Sequence, residues 1–141
     1  MSDLDYAGDL NPLETWNLLK GENDSFLVDC RTSVEWSFVG VPDLQSLKKK
    51  VIFLEWQTYP MMQMNENFLQ EIKQTEITKD SKVVFLCRSG ARSRSAAEFL
   101  TSHGYRSCYN SVEGFEGAHS KEGHRGKING WKFKNLPWKQ G

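Results

Sequence analysis

Val83-Val84-Phe85-Leu86-Cys87-Arg88-Ser89-Gly90-Ala91-Arg92-Ser93-Arg94-Ser95-Ala96-Ala97-Glu98-Phe99-Leu100 reads as a strand, a tight loop and a helix, with a thiol at the mouth of the loop. The unbroken apolar run before Cys87 predicts a buried strand, and the apolar spacing after Ser93 is helical. Strand, loop and helix in that order are the unit of a parallel sheet covered by helices. Such a loop aims several backbone N–H groups at one spot, and the helix N-terminus adds a positive dipole end. A thiol held there is expected to ionise readily, and the thiolate is the reactive form. The same cradle binds anions. The expected chemistry is therefore nucleophilic attack by cysteine on an anionic, sulfur- or oxygen-rich substrate.

The charge pattern agrees. Lys+Arg and Asp+Glu both number 18, so the chain is neutral overall. Yet Ser81 to Ala97 carries no acidic residue while Lys82, Arg88, Arg92 and Arg94 are all basic. Positive charge is gathered around one thiol.

Working outward, the rest of the chain repeats the alternation. Asn11-Pro12 is a helix start, and Leu13, Trp16 and Leu19 follow at helical spacing up to Gly21. Ser25 to Cys30 reads as a buried strand. Thr32 is placed to cap a short helix through Val34, Trp36 and Phe38 that closes near Gly40. Val51 to Leu54 is a further strand, and Asn65 to Gln74 an amphipathic helix with Phe68, Leu69 and Ile72 inward. The helix after Cys87 is predicted from Ser93 to His103, with Ser95 and Glu98 as a capping box and Gly104 as its stop. Ser107 to Val112 is the last strand. From Glu113 the chain loses periodicity, and Phe115, Trp131, Phe133 and Trp138 are expected to pack this tail on the core. The expected class is α/β: a central, mostly parallel five-stranded sheet with helices on both faces. In such sheets sites lie at the carboxyl ends of strands, where Asp29, Arg31 and Cys87 all fall.

Composition excludes several functions. The 141 residues, 38% of them hydrophobic, suit one domain over 1–141 with one core. Neutrality and a pI of 6.8 argue against a general nucleic-acid binder. No apolar run approaches the roughly 18 residues of a membrane span. Met1-Ser2-Asp3-Leu4-Asp5 is acidic and unlike a secretion signal, so the cytoplasm is the expected compartment. Cys30, Cys87 and Cys108 are too widely spaced for a disulfide framework or a zinc pair. His119 and His124 lack a third ligand, and neither metal nor cofactor is expected.

Two segments together resemble the rhodanese family of sulfurtransferases. Leu27-Val28-Asp29-Cys30-Arg31-Thr32-Ser33-Val34-Glu35-Trp36 is similar to the family's first motif, and Val84 to Ser93 to its active-site segment. Order and separation match, and the likeness runs from about residue 5 to 138, closing on Gly130-Trp131-Lys132 and Leu136-Pro137-Trp138. Gly40-Val41-Pro42-Asp43-Leu44 departs from the family's usual continuation, and residues 45–64 are longer than a minimal member needs.

The resemblance implies a rhodanese-like three-layer fold and a sulfurtransferase. Cys87 is the implied nucleophile, carrying sulfur as a persulfide from a small anionic donor such as thiosulfate to a thiol, cyanide or an acceptor protein. Arg88, Ser89, Gly90, Ala91, Arg92 and Ser93 form the implied anion cradle over the catalytic loop 87–93, with Arg88 and Arg92 on donor oxygens. Asp29 and Arg31 are expected to support that loop as an ion pair. Glu35 is read as a structural partner, Arg94 as solvent-facing, and Cys30 and Cys108 as small buried hydrophobes. His124-Arg125-Gly126 is a candidate segment for closing over the site. Two rivals stand beside this reading: a sulfur-relay or regulatory binding module, and a dual-specificity phosphatase or arsenate reductase of the same fold. Those enzymes place one more residue between cysteine and arginine. Here four residues separate Cys87 from Arg92, and Ser93 stands where the longer loop would place its arginine.

Overall fold

The computed structural model describes residues 5–140. The reading of the chain start as no secretion signal therefore lies mostly outside the described residues. In chain order the elements are β1 (Gly8–Leu10), α1 (Pro12–Gly21), β2 (Ser25–Asp29), α2 (Ser33–Val39), β3 (Val41–Pro42), a single 3-10 turn (Gln45–Leu47), β4 (Ile52–Phe53), β5 (Gln57–Thr58), β6 (Gln63–Met64), α3 (Phe68–Lys73), β7 (Lys82–Leu86), α4 (Ala91–Ser102), β8 (Ser107–Ser111) and β9 (Trp138–Lys139). Five strands form one sheet in the order β1-β8-β7-β2-β4, with every pairing parallel. The fold is α/β, with the parallel five-stranded central sheet that the sequence predicts.

Two apolar layers sandwich this sheet. On one face Val28, Val83 and Phe85 meet Phe68 and Ile72 of α3 and Ala96, Ala97 and Leu100 of α4. On the other, Leu27, Val84 and Leu86 meet Leu19 of α1 and Phe115 and Trp131 of the tail. The strict alternation along β2 and β7 is what a strand buried on both sides requires. Helix starts obey local chemistry. Asn11 and Thr32 each accept the N–H of the residue three positions on, and Glu14 and Glu35 return the bond, so both α1 and α2 begin with capping boxes.

Several expectations need correction. α4 begins at Ala91, not Ser93, and Gly90 is its N-cap. Ser95 does not cap it: its hydroxyl donates to the Ala91 carbonyl, while Glu98 faces Arg94. The helix starts early because Gly90, at φ 112°, turns the chain straight into it. α3 and β4 are shorter than expected. In the tail, Phe115 and Trp131 are fully buried, but Phe133 is exposed, and Trp138 lies half-exposed against Phe115 in an edge contact at 6.2 Å. Three features had no clear periodic signal: β1, the β5–β6 hairpin, and the β3–β9 pair. Among the described residues no helix is long and apolar enough to cross a membrane.

Candidate functional site

Strand β7 delivers Cys87 to the carboxyl edge of the sheet, where the chain turns sharply into α4. The thiol is buried and lies within a hydrogen-bonded ring of its own loop. The Gly90 N–H donates to Cys87 Sγ at 3.1 Å, and Ser93 Oγ lies 3.2 Å from the same sulfur. Ser93 in turn donates to Asn110 Oδ1 at 2.6 Å, and Asn110 Nδ2 donates to Asp9 Oδ1 at 3.3 Å. Tyr6 closes the chain by donating to Asp9 at 2.6 Å. A polar thread therefore runs from the thiol through α4 and β8 to the edge strand β1. Burial, together with the Asp9 hydrogen bond, pushes the Tyr6 phenol up to about 12, so it stays a donor.

The loop's shape is set from behind by the tail. The Phe115 N–H donates to the Cys87 carbonyl at 2.8 Å, and the N–H groups of Glu116 and Gly117 both donate to the Arg88 carbonyl, at 3.0 and 3.2 Å. Gly90 and Gly114 make this clamp feasible. A Cβ on Gly90 would meet the Val112 carbonyl, and one on Gly114 the Arg88 carbonyl. With the loop's carbonyls held on that side, the N–H groups of Arg88, Ser89, Ala91, Arg92 and Ser93 find no acceptor among the described residues. They remain free donors in the loop that carries the thiol, which is what an anion cradle needs.

A cavity of about 310 Å³ opens over the thiol, lined by Glu35, Gln57, Met62, Cys87, Arg88, Ser89, Ala91 and Arg92. Arg88 is exposed at its mouth. Arg92 lines it too, but differs from expectation: it grips Glu35 through two hydrogen bonds, at 2.7 and 2.8 Å. Burial works against the Glu35 charge, but bonds from Arg92 and from the Thr32 N–H outweigh it and hold the carboxyl at about 2. Arg92 is raised in return, chiefly by its bond to Glu35. Arg92 is thus a fixed, partly neutralised wall, and Arg88 carries the loop's unpaired charge.

Asp29 and Arg31 form a fully buried ion pair with two side-chain bonds, at 2.9 and 2.7 Å. Neither lines the cavity. Arg31 also donates to the Gly40 carbonyl at 2.8 Å, and its guanidinium lies 4.4 Å from the Phe115 ring centre. The pair supports the loop through Phe115, whose N–H holds Cys87. Arg94 faces Glu98 and the Tyr6 ring, away from the thiol. His124-Arg125-Gly126 does not close over the cavity: Gly126 donates to Glu116 and Arg125 to Gly117, so this segment braces the clamp from outside. Two larger clefts flank Lys48, Lys49 and Lys50: one reaches Ser25 and Phe26 at the start of β2, at the opposite end of the sheet from Cys87, and the other is lined by Pro42, Leu44, Phe53 and Lys139.

Sequence reasoning missed Asn110, Gln57 and Met62. Asn110 had a signal, a lone amide in a strand otherwise fit for burial. Gln57 and Met62 sit on the β5–β6 hairpin, the stretch that is long for a minimal rhodanese, and nothing in their spacing places them near the thiol.

The comparisons with known proteins agree with this fold. The family described as the STR4 middle domain matches residues 11–141. The uncharacterized protein RP600 of Rickettsia prowazekii is 43% identical over 89% of this chain and 91% of its own length. The crystal structure of Rv0390 from M. tuberculosis is 48% identical, covers 96% of this chain and 99% of its own, and superimposes with a TM-score of 0.89. A sulfurtransferase of Allochromatium vinosum is 34% identical over 62% of this chain and 64% of its own length. A rhodanese-like domain protein from Staphylococcus aureus, 20% identical, covers 76% of this chain and 85% of its own, and shares the fold at a TM-score of 0.54.

Proposed function

This chain belongs to the STR4 middle-domain family, and from that footing we propose that it is a rhodanese-type sulfurtransferase, with Cys87 carrying a sulfane sulfur from an anionic donor such as thiosulfate to a thiol or cyanide acceptor. The observation that carries the reading is the Cys87 sulfur held by the Gly90 N–H at 3.1 Å inside a loop with further N–H groups free. The sulfurtransferase of Allochromatium vinosum supports it.

The chemistry is covalent double displacement. The Cys87 thiolate attacks the outer sulfur of thiosulfate, the sulfur–sulfur bond breaks, and sulfite leaves with the bonding pair. The persulfide that remains is anionic and sits among the loop N–H donors. Arg88 draws the donor's oxygens to the mouth, while the Glu35–Arg92 pair shapes one wall. The short interval between Cys87 and Arg92 favours a single sulfur over a tetrahedral oxyanion, which weighs against the phosphatase reading. An acceptor thiol on a partner protein is favoured by the exposed Tyr59, Met61 and Met64 beside Met62, which lines the cavity.

The test is intact-protein mass spectrometry after incubation with thiosulfate, beside Cys87→Ser. The expected result is one added sulfur on the wild type alone. Equal uptake by both proteins sinks the reading.

A further inference from the structure

Cys30 stands beside Cys87. β2 and β7 pair in parallel register with Asp29 opposite Leu86, and the Cys30 N–H donates to the Leu86 carbonyl at 2.9 Å. Cys30 and Cys87 are the next residues on, so they leave the two paired strand ends side by side, and both belong to one buried cluster. Neighbouring strands lie about 4.8 Å apart, within the roughly 4.4–6.8 Å between Cα atoms that a disulfide spans. The two side chains also share a face. Val28 and Cys30 of one strand, and Phe85 and Cys87 of the other, all enter the core under α3 and α4. Cys30 does not line the cavity over the thiol; it lies in the buried cluster that also holds Cys87. A displacement at sulfur needs the nucleophile behind and the leaving group in front, and the core holding Cys30 and the cavity over Cys87 offer those two sides.

We propose that Cys30 is a resolving thiol for Cys87, an inference that rests on Cys87 being the persulfide carrier. The Cys30 sulfur attacks the inner sulfur of the persulfide and the bond to the outer sulfur breaks. The outer sulfur leaves with the electron pair, takes the proton Cys30 gives up, and departs as hydrogen sulfide. A Cys30–Cys87 disulfide remains. Cys30 is oxidised and the outer sulfur is reduced, so no outside oxidant enters. A small-molecule thiol then reduces the disulfide and restores both cysteines. The net activity is thiol-dependent release of sulfide from a sulfane donor.

The surroundings set the order of events. Burial, and next the charge on Cys87, push the Cys30 thiol well up, while Asp29 and Arg92 are the charged groups that act on it with opposite sign. Only a small fraction of Cys30 is thiolate at neutral pH, so an acceptor in the cavity takes the sulfur first. Discharge onto Cys30 prevails when no acceptor arrives.

The experiment loads the full chain with thiosulfate, removes the donor, and follows intact mass, released sulfide and non-reduced peptides without an acceptor. Wild type is compared with Cys30→Val, which keeps the core filled, and Cys30→Ala, each first shown to be folded by circular dichroism. The expected result is loss of the added sulfur from wild type, one sulfide released per chain, and a peptide linking Cys30 to Cys87. Both variants should hold the added sulfur about tenfold longer. Equal lifetimes with no linked peptide overturn the proposal. If wild type takes up no sulfur, the sulfurtransferase reading fails, and hydrogen peroxide becomes the probe of the pair. Peroxide then oxidises Cys87 to the sulfenic acid, and Cys30 expels water from it. A linked peptide in wild type, with Cys87 sulfinic acid in the variants, keeps the resolving role. Sulfinic acid in all three overturns it.

Discussion

Glu35 joins two duties: it closes the capping box of α2 and holds Arg92 by two hydrogen bonds across the mouth of the thiol cavity. The folded carboxyl sits at about 2 against an ordinary value of 4.5, a difference on the order of 3 kcal/mol in stability. Because the folded value is depressed, this contribution is full above about pH 4.5 and is lost as the pH falls toward 2. Glu35→Gln should therefore unfold more easily than wild type in urea at pH 7, and the gap should narrow steadily below pH 4.5. A gap that stays constant with pH rules this account out.

Ser93 bridges Cys87 and Asn110 with one hydroxyl. Ser93→Ala removes a neighbour of the sulfur and leaves the Asn110 carbonyl buried without its donor, at about 1–3 kcal/mol of stability. Persulfide formation should slow by a factor of about 100, the usual loss for one donor in a preorganised anion site. Stopped-flow measurement of sulfite release reads this directly. Ser93→Thr, which keeps the hydroxyl, should recover most of the rate.

Gly90 holds φ 112° and has the Val112 carbonyl where a Cβ would go. Gly90→Ala should therefore displace the one N–H that meets the Cys87 sulfur. Sulfur uptake should fall by at least about 100-fold, with about 1–3 kcal/mol of stability lost to backbone strain. A variant as active as wild type would show that the Gly90 donor is dispensable.

Asp29 and Arg31 are both fully buried. Breaking the pair with Arg31→Met strands a carboxylate in the core and should cost about 3–5 kcal/mol. Replacing both, Asp29→Leu with Arg31→Met, should recover much of that, because two apolar residues leave no orphaned charge. Urea midpoints of the three proteins decide the matter.

Much of this was legible in the chain. Val83 to Leu100 revealed strand, loop and helix because buried strands and amphipathic helices each leave a periodic signature, and Asn11 and Thr32 advertised their caps. Cys87 and its loop followed from the same reading. The rest depended on tertiary contacts that leave no local trace. β1 is three residues long and is a strand only because β8 lies beside it. The choice of Arg92 for Glu35, across 57 positions, follows from where α2 and α4 meet. Cys30 looked like one more apolar residue at the end of a strand; only the strand register makes it the neighbour of Cys87.

The clamp on the Arg88 carbonyl has a temporal side. The loop's backbone is held by Phe115, Glu116 and Gly117, and the Trp131 N–H in turn donates to the Gly114 carbonyl at 2.9 Å. During synthesis the cysteine emerges well before these residues do. A nascent chain that ends before Phe115 has the thiol without the bonds that hold its loop, and the loop takes its shape only as residues 114–131 fold back under it. Shaping of the thiol loop is thereby deferred until the segment from Gly114 to Trp131 is in place.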